Sequence, residues 1–211
     1  FWKIFFLISN YNLHMIRFFS SKFLFVLLLT QFINADKIPE LYKFIDTNGQ
    51  YFLTVIKEDG SKYEEDPKAF KESIIQLTSE CIRFKSNTII GVESRGFVFG
   101  SPIAFDLDIP FVMARKPGKL PNKTVYKEFK LEYGETEIHL QELSPIMGNV
   151  VIVDDLVATG GTAIACAELI TENFNVKNSD ILILGIIDLP ELGGSNLIKQ
   201  RGYAIQTLID Y

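Results

Sequence analysis

Two adjacent carboxylates close a strongly apolar run, and a loop of small residues follows them at once. The segment reads VVIVDDLVATGGTA over residues 150–163, so Asp154 and Asp155 stand side by side. Carboxylate oxygens accept hydrogen bonds, and a neighbouring pair suits the two hydroxyls of a vicinal diol such as that of ribose. Because side chains alternate along a strand, both can reach one ligand only where the strand ends. We expect the strand to end at Asp154.

The loop after the acidic pair offers backbone amides where a helix is predicted to begin. Its residues are small, and the first turn of a helix binds phosphate through free amides and the helix dipole. A diol site beside a phosphate site indicates a ribose 5-phosphate; the alternative is an ordinary strand-to-helix turn that Asp155 caps. The predicted phosphate-binding residues are Ala158, Thr159, Gly160, Gly161 and Thr162.

Two further segments carry cations that could meet an anion. ARKPGKLP at 114–121 presents Arg115, Lys116 and Lys119 among prolines and a glycine, which keep a loop out of regular structure. Arg95 follows a predicted strand and opens a predicted helix, a second place where anions bind. A basic loop by itself is typical of a solvated turn, whereas beside a phosphate site it favours an anion clamp.

The composition of the chain excludes several kinds of function. The 211 residues carry a net charge of −5, which gives no footprint for nucleic-acid binding. The chain has two cysteines, which form no paired motif, and two histidines. These few ligands nearly exclude a zinc site of the usual kind. A serine–histidine–aspartate triad would be possible only if His139 served as its histidine. An enzyme built on this chain would therefore work with carboxylates, lysine, arginine and backbone amides.

Hydrophobic patterning predicts alternating strands and helices. We expect helices over 66–84, 95–106 and 162–173, and strands over 88–92, 110–115, 149–154 and 180–189, with a last strand in YAIQTLID. A hairpin is expected over 127–140 around Gly134. Such alternation is typical of an α/β domain with a mostly parallel sheet flanked by helices.

The N-terminal segment differs from the rest. Residues 1–35 hold eight of the eighteen phenylalanines and the single tryptophan, with Arg17 and Lys22 ahead of an apolar run. We expect a hydrophobic, signal-like extension outside the working domain, with a buried N-terminal helix as the alternative. The run is short for a membrane span. The domain itself is expected to cover residues 36–211.

Four segments, in order, resemble the type I phosphoribosyltransferases, and within that family the members that use adenine. They are GVESRGFVFGSPIA (91–104), ARKPGKLP (114–121), LEYG (131–134) and the acidic segment 150–163. The resemblance covers about the last 145 residues. It implies the type I phosphoribosyltransferase fold, with a flexible hairpin loop over the active site and a small N-terminal hood.

The resemblance also implies roles. Phosphoribosyl pyrophosphate (PRPP) and adenine would be the substrates, and AMP and diphosphate the products, with Mg²⁺ held mainly through the substrate. Asp154 and Asp155 would bind the ribose, and Glu132, otherwise read as an exposed strand carboxylate, would be catalytic. The cations Arg95, Arg115, Lys116 and Lys119 would bind pyrophosphate. A cytoplasmic homodimer is expected, with no membrane partner for the catalytic domain.

One segment departs from the family. Where the family carries a sequence like PxxGxxFRD that reaches over the purine, this chain reads GQYFLTVIKEDGSKYEEDPKAF (49–70). Two alternatives therefore remain: a phosphoribosyltransferase for another base, and a non-catalytic protein that binds PRPP.

Overall fold

A five-stranded parallel sheet forms the centre of the computed structural model, which describes residues 42–47, 50–55, 67–131 and 134–210. The strands lie in the order β4-β3-β7-β8-β9. Their bounds are β3 Thr88–Val92, β4 Phe111–Ala114, β7 Val150–Val157, β8 Ile181–Asp188 and β9 Ala204–Asp210. Every residue of β3 and β8 is buried, as the continuous apolar runs in these two strands predict for a sheet covered on both faces.

Four α-helices connect and cover this sheet within the described residues. They are α1 Pro67–Phe84, α2 Arg95–Leu107, α3 Gly161–Asn173 and α4 Gly194–Gln200. One core lies on the side of α1 and α2, where Leu77, Phe99 and Ile103 pack against the sheet. The other lies on the side of α3, where Cys166, Leu169 and Ile170 are fully buried. None of the described helices is long and apolar enough to cross a membrane.

Two antiparallel hairpins complete the described fold. β5 Thr124–Leu131 pairs with β6 Gly134–Gln141, so the predicted hairpin is confirmed and is longer at its base than predicted. β1 Tyr42–Thr47 pairs with β2 Gln50–Val55, which the sequence reading did not predict. Asn48-Gly49 between these strands, with the β-forming residues around it, is the signal that could have revealed this hairpin.

The predicted helices and strands of the domain are confirmed with shifts of one or two residues, except at β7. This strand was expected to end at Asp154 and instead runs to Val157. The prediction failed because the two edges of β7 end at different places. Pairing with β3 stops at Val153, whereas pairing with β8 continues to Val157 opposite Asp188. Asp154 and Asp155 thus lie inside β7. On one side they extend past the last residue paired with β3, and on the other side β8 still runs beside them.

Candidate active site

The acidic pair lies at the carboxyl edge of the sheet, where ligands bind in open α/β folds. Asp154 is half-buried, and its Oδ1 accepts a hydrogen bond from the amide of Asp155 at 2.9 Å. Asp155 is only 7% exposed, and its Oδ2 lies 2.7 Å from Nε of Arg95. One carboxylate is therefore held by the backbone and the other by a guanidinium.

Burial raises the pKa of both carboxyl groups of this pair. Burial, followed by the charge of Asp155, raises the pKa of Asp154 well above its ordinary value. Burial also raises the pKa of Asp155, although the Arg95 guanidinium opposes the change. Holding two carboxylates here costs free energy in the empty site, and cations or hydroxyl donors of a ligand would offset that cost.

Arg95 reaches the acidic pair because α2 begins very close to β7. A Cβ built on Gly96 would lie 2.2 Å from the carbonyl oxygen of Val153, so only glycine fits at this position. The peptide bond between Glu93 and Ser94, just before the helix, is cis. The structure thus places the predicted anion-binding arginine against Asp155, and its contact with pyrophosphate stays a prediction.

The predicted phosphate loop runs from the end of β7 into α3. Gly160 has a φ of 78° at the helix N-cap, and α3 begins at Gly161. The N-cap residue is a glycine and has no side chain to cap the first-turn amides, which are the groups that bind anions at a helix N-terminus. Two residues separate the loop Ala158–Thr162 from the acidic pair, so the residues predicted to bind the diol and the phosphate lie next to each other, and what they bind stays a prediction.

A second glycine segment, which the sequence reading did not single out, supports the phosphate loop. The amide of Gly194 donates a hydrogen bond of 3.1 Å to the carbonyl oxygen of Ala158. A Cβ on Gly194 would lie 2.2 Å from that oxygen, and a Cβ on Gly160 would lie 2.9 Å from the carbonyl oxygen of Gly194. The close approach of these two backbones requires glycine at both positions. The pair Gly193-Gly194, read alone, is typical of any turn.

Glu93 organises the basic loop, a role the sequence did not reveal. Its carboxylate accepts hydrogen bonds from Nε and Nη2 of Arg115, both at 3.3 Å, and from the amide of Lys116 at 2.8 Å. Burial alone would raise the pKa of Glu93, but these bonds and the positive charges of Arg115 and Lys116 hold it below its ordinary value. Arg115 also donates from Nη1 to the carbonyl oxygen of Lys119 at 2.9 Å.

The three cations of this loop therefore divide into two kinds. The guanidinium of Arg115 is turned toward Glu93 and the ring of Phe97, whose centroid lies 5.9 Å away. Lys116 and Lys119 are exposed at the loop surface. This arrangement indicates that Arg115 holds the shape of the loop. The loop in turn presents the two lysines to solvent, where an anion could bind them.

The β5–β6 hairpin reaches from the sheet to the phosphate loop. At its base, Arg115 and His139 exchange backbone hydrogen bonds of 2.9 and 2.8 Å. Along its length, Lys127 forms ion pairs with Glu168 and Glu172 of α3. Near its tip, a Cβ built on Gly161 would lie 3.6 Å from the carbonyl oxygen of Lys130. The predicted catalytic residue, Glu132, lies outside the described residues, between Lys130 and Gly134.

The described residues contain no cluster of three or more histidine, cysteine, aspartate or glutamate side chains that could hold a metal ion. Asp154 and Asp155 nevertheless supply oxygen ligands of the kind that Mg²⁺ takes when substrate oxygens complete its coordination. The donor set fits an ion that enters with a phosphorylated substrate.

The comparisons with known proteins agree with this geometry. Residues 61–186 match the sequence pattern of a protein family, the phosphoribosyl transferase domain. An adenine phosphoribosyltransferase of Actinobacillus succinogenes is 40% identical over 160 residues, which cover 74% of this chain and 86% of the relative. One of Shewanella loihica is 35% identical and covers 85% of this chain and 98% of the relative. The chain therefore belongs to the phosphoribosyltransferase family, a class of pentosyl-transferring enzymes.

Solved structures narrow the comparison to one kind of enzyme. An adenine phosphoribosyltransferase of Thermoanaerobacter pseudethanolicus matches with a TM-score of 0.67 at 35% identity, over 81% of this chain and 95% of its own. The enzyme of Giardia lamblia, solved with 9-deazaadenine, matches with a TM-score of 0.71 at 29% identity, over 81% of this chain and 94% of its own. These relatives confirm the type I phosphoribosyltransferase fold.

Proposed function

We propose that this chain transfers the 5-phosphoribosyl group of PRPP to adenine, giving AMP and diphosphate. The observation that carries the proposal is the contiguity of Asp154 and Asp155 with the loop Ala158–Thr162 at one edge of the sheet. Ribose 5-phosphate carries a diol and a phosphate on one small molecule, so its diol could bind Asp154 and Asp155 while its phosphate binds the loop. Relatives and solved structures named adenine phosphoribosyltransferases support adenine as the base.

In the proposed reaction, N9 of adenine attacks C1′ of the ribose. The C–N bond forms as the C1′–O bond breaks, and the electron pair of the broken bond leaves with diphosphate. The N9 proton passes to a base, for which Glu132 is the candidate. The carboxylates of Asp154 and Asp155 hold the ribose hydroxyls, so that C1′ is presented in a fixed orientation.

The leaving group carries a dense negative charge. Lys116 and Lys119 are the candidates to bind it, on a loop that Arg115 and Glu93 shape, and Arg95 adds a cation at the start of α2. Fixed cations stabilise the charge that develops on diphosphate as the bond breaks. Mg²⁺, held chiefly by oxygens of the substrate beside Asp154 and Asp155, would supply further charge neutralisation when bound.

We also propose a homodimer in the cytoplasm, with residues 36–211 as the working domain. PRPP is an intracellular metabolite, which supports this compartment.

The experiment is a turnover assay of the purified chain with PRPP, Mg²⁺ and one base at a time. We expect AMP from adenine and far less product from hypoxanthine or guanine. A parallel calorimetric titration with PRPP separates binding from turnover. Saturable PRPP binding without product from any base would overturn the proposal in favour of a non-catalytic binding protein, and turnover confined to another base would overturn the choice of adenine.

A further inference from the structure

The side chain of a histidine at the base of the β5–β6 hairpin has no role in the site described above. His139 stands in β6 between Ile138 and Leu140, which are both buried in the core. Because side chains alternate along a strand, His139 points to the opposite face of the hairpin. Its side chain is nevertheless only 13% exposed. A largely buried titratable ring therefore lies outside the core, and its contacts indicate what it does.

Both strands of the hairpin hold the imidazole of His139. Its Nε2 lies 2.7 Å from Oε2 of Glu137 in β6, and its Nδ1 lies 3.1 Å from Oγ1 of Thr124 in β5. A carboxylate can only accept, so in the neutral ring Nε2 carries the proton and Nδ1 accepts a hydrogen bond from the Thr124 hydroxyl. The ring also stacks on Tyr126, with centroids 5.3 Å apart and planes at 18°. These contacts fix both the position and the orientation of the ring.

The backbone of His139 joins the hairpin to the basic loop. On one edge of β6, His139 pairs with Tyr126 of β5, and on the other edge it exchanges two hydrogen bonds with Arg115. Antiparallel partners carry their side chains on the same face, so Arg115, His139 and Tyr126 form a row across three segments of the chain. We refer to these three residues as the hairpin joint. The basic loop follows Arg115 directly.

The hairpin extends from this joint toward the candidate base. Five residues of β6 separate His139 from Gly134, a length of about 17 Å at about 3.4 Å per residue. Glu132 stands two residues before Gly134 in sequence. Over that length, a rotation of about 5° at the joint would move the far end of β6 by about 1.5 Å. A displacement of about 1 Å at a reacting group can cost about a hundredfold in rate.

The basic loop is anchored without the imidazole. The carboxylate of Glu93, which follows β3, accepts hydrogen bonds from the side chain of Arg115 and from the amide of Lys116. Loss of the contacts of the ring should therefore shift the hairpin and leave the loop in place. Kinetics separate the two effects, because the hairpin carries the candidate base and acts on kcat, whereas the loop is proposed to bind diphosphate and acts on KM for PRPP.

We propose that His139 is a positioning residue for the transfer reaction. Its imidazole fixes the angle between the hairpin and the basic loop, so that Glu132 meets a substrate whose diphosphate the loop binds. This inference rests on the proposed function, which supplies the roles of Glu132 and of the loop. A ring that only stabilised the fold would change the melting temperature and leave kcat of the folded protein unchanged.

The test compares His139→Leu and His139→Gln with the unchanged chain. His139→Leu removes both hydrogen bonds, and we expect kcat with adenine to fall about tenfold or more while KM for PRPP stays within about twofold. His139→Gln keeps one donor and one acceptor and should recover most of kcat. Glu135→Leu is the matched control, because it replaces an exposed polar residue on the same face of β6, and it should leave kcat unchanged.

Hydrogen exchange measured by mass spectrometry gives a readout that does not depend on turnover. The amides of β5 and β6 should exchange faster in His139→Leu than in the unchanged chain, and His139→Gln should lie between them. Thr124→Val removes only the partner of Nδ1, and it should lower kcat less than His139→Leu does. Circular dichroism establishes which variants fold, and Thr124→Val decides the matter by the same criteria if His139→Leu does not.

Three results would overturn the inference: an unchanged kcat in folded His139→Leu, a rise in KM for PRPP at constant kcat, or no recovery in His139→Gln. An unchanged chain that makes no AMP would contradict the proposed function by itself. Hydrogen exchange would then decide whether His139 holds the hairpin joint, and equal exchange in all variants would show that it does not.

Discussion

The carboxylates of Asp154 and Asp155 are adjacent in sequence, yet different groups hold them. Asp155 forms an ion pair with Arg95 across the gap between β7 and α2, while Asp154 accepts a hydrogen bond from the backbone amide of Asp155. The pair was identified from the sequence, because two adjacent acids stand directly before a loop of small residues, and their binding of ribose stays a prediction. It did not reveal that Arg95 lies against Asp155, or that Glu93 holds Arg115. Those contacts depend on loops that the fold brings together.

Asp154→Asn should make the protein more stable near neutral pH. Burial raises the pKa of Asp154 in the folded chain, so the folded state binds more protons than the unfolded state over a window that extends upward from the ordinary value of 3.8. The free energy of unfolding therefore falls as pH rises through that window, and asparagine removes this loss. Thermal melting of both proteins from pH 4 to 8 measures the effect.

The difference in melting temperature between variant and unchanged chain should grow with pH across the window. A variant that melts below the unchanged chain by the same amount at every pH would contradict this account of the acidic pair. Glu142→Gln, at an exposed position after β6, makes the same change from carboxyl to amide and controls for the loss of an acid in general.

At the scale of elements, hydrophobic patterning located the central strands and helices well, because long apolar runs and helical periodicity dominate their burial. Patterning did not predict features that depend on contact between two elements. The length of β7 depends on how far β8 continues beside it, and the phosphate loop depends on a backbone contact with Gly194. Neither of these pairings leaves a local pattern in the sequence.

Gly194→Ala should damage the phosphate site without touching the ligand. Its Cβ would meet the carbonyl oxygen of Ala158 at 2.2 Å, so the loop before α3 must move. We expect KM for PRPP to rise about tenfold, which is the usual consequence of misplacing a binding loop by a fraction of an ångström. Steady-state kinetics with each substrate varied in turn give this value.

The matched control for that variant is Asn196→Ala, an exposed position on the same helix, α4. It should leave both KM values unchanged. A Gly194→Ala protein with normal KM for PRPP would show that the contact with Ala158 does not support the loop.

At the scale of the whole molecule, the strand order separates the parts of the proposed reaction. Loops after β3 and β4 carry the cations for the leaving group, and β7 carries the sugar site and its phosphate loop. Parallel strands bring all of these to one edge, so three of the four short motifs, which are far apart in the sequence, can meet one substrate there. The segment that the resemblance assigns to base recognition departs from the family, so the sequence motifs do not predict how the base is bound.

The central claim is that the acidic pair holds the ribose of PRPP for transfer to adenine. The most direct measurement is AMP formation by the unchanged chain and by the double variant Asp154→Asn with Asp155→Asn, alongside circular dichroism to establish that both are folded. We expect AMP from the unchanged chain and a loss of at least about a hundredfold in kcat/KM for PRPP in the double variant. Undiminished AMP formation by a folded double variant would contradict the account.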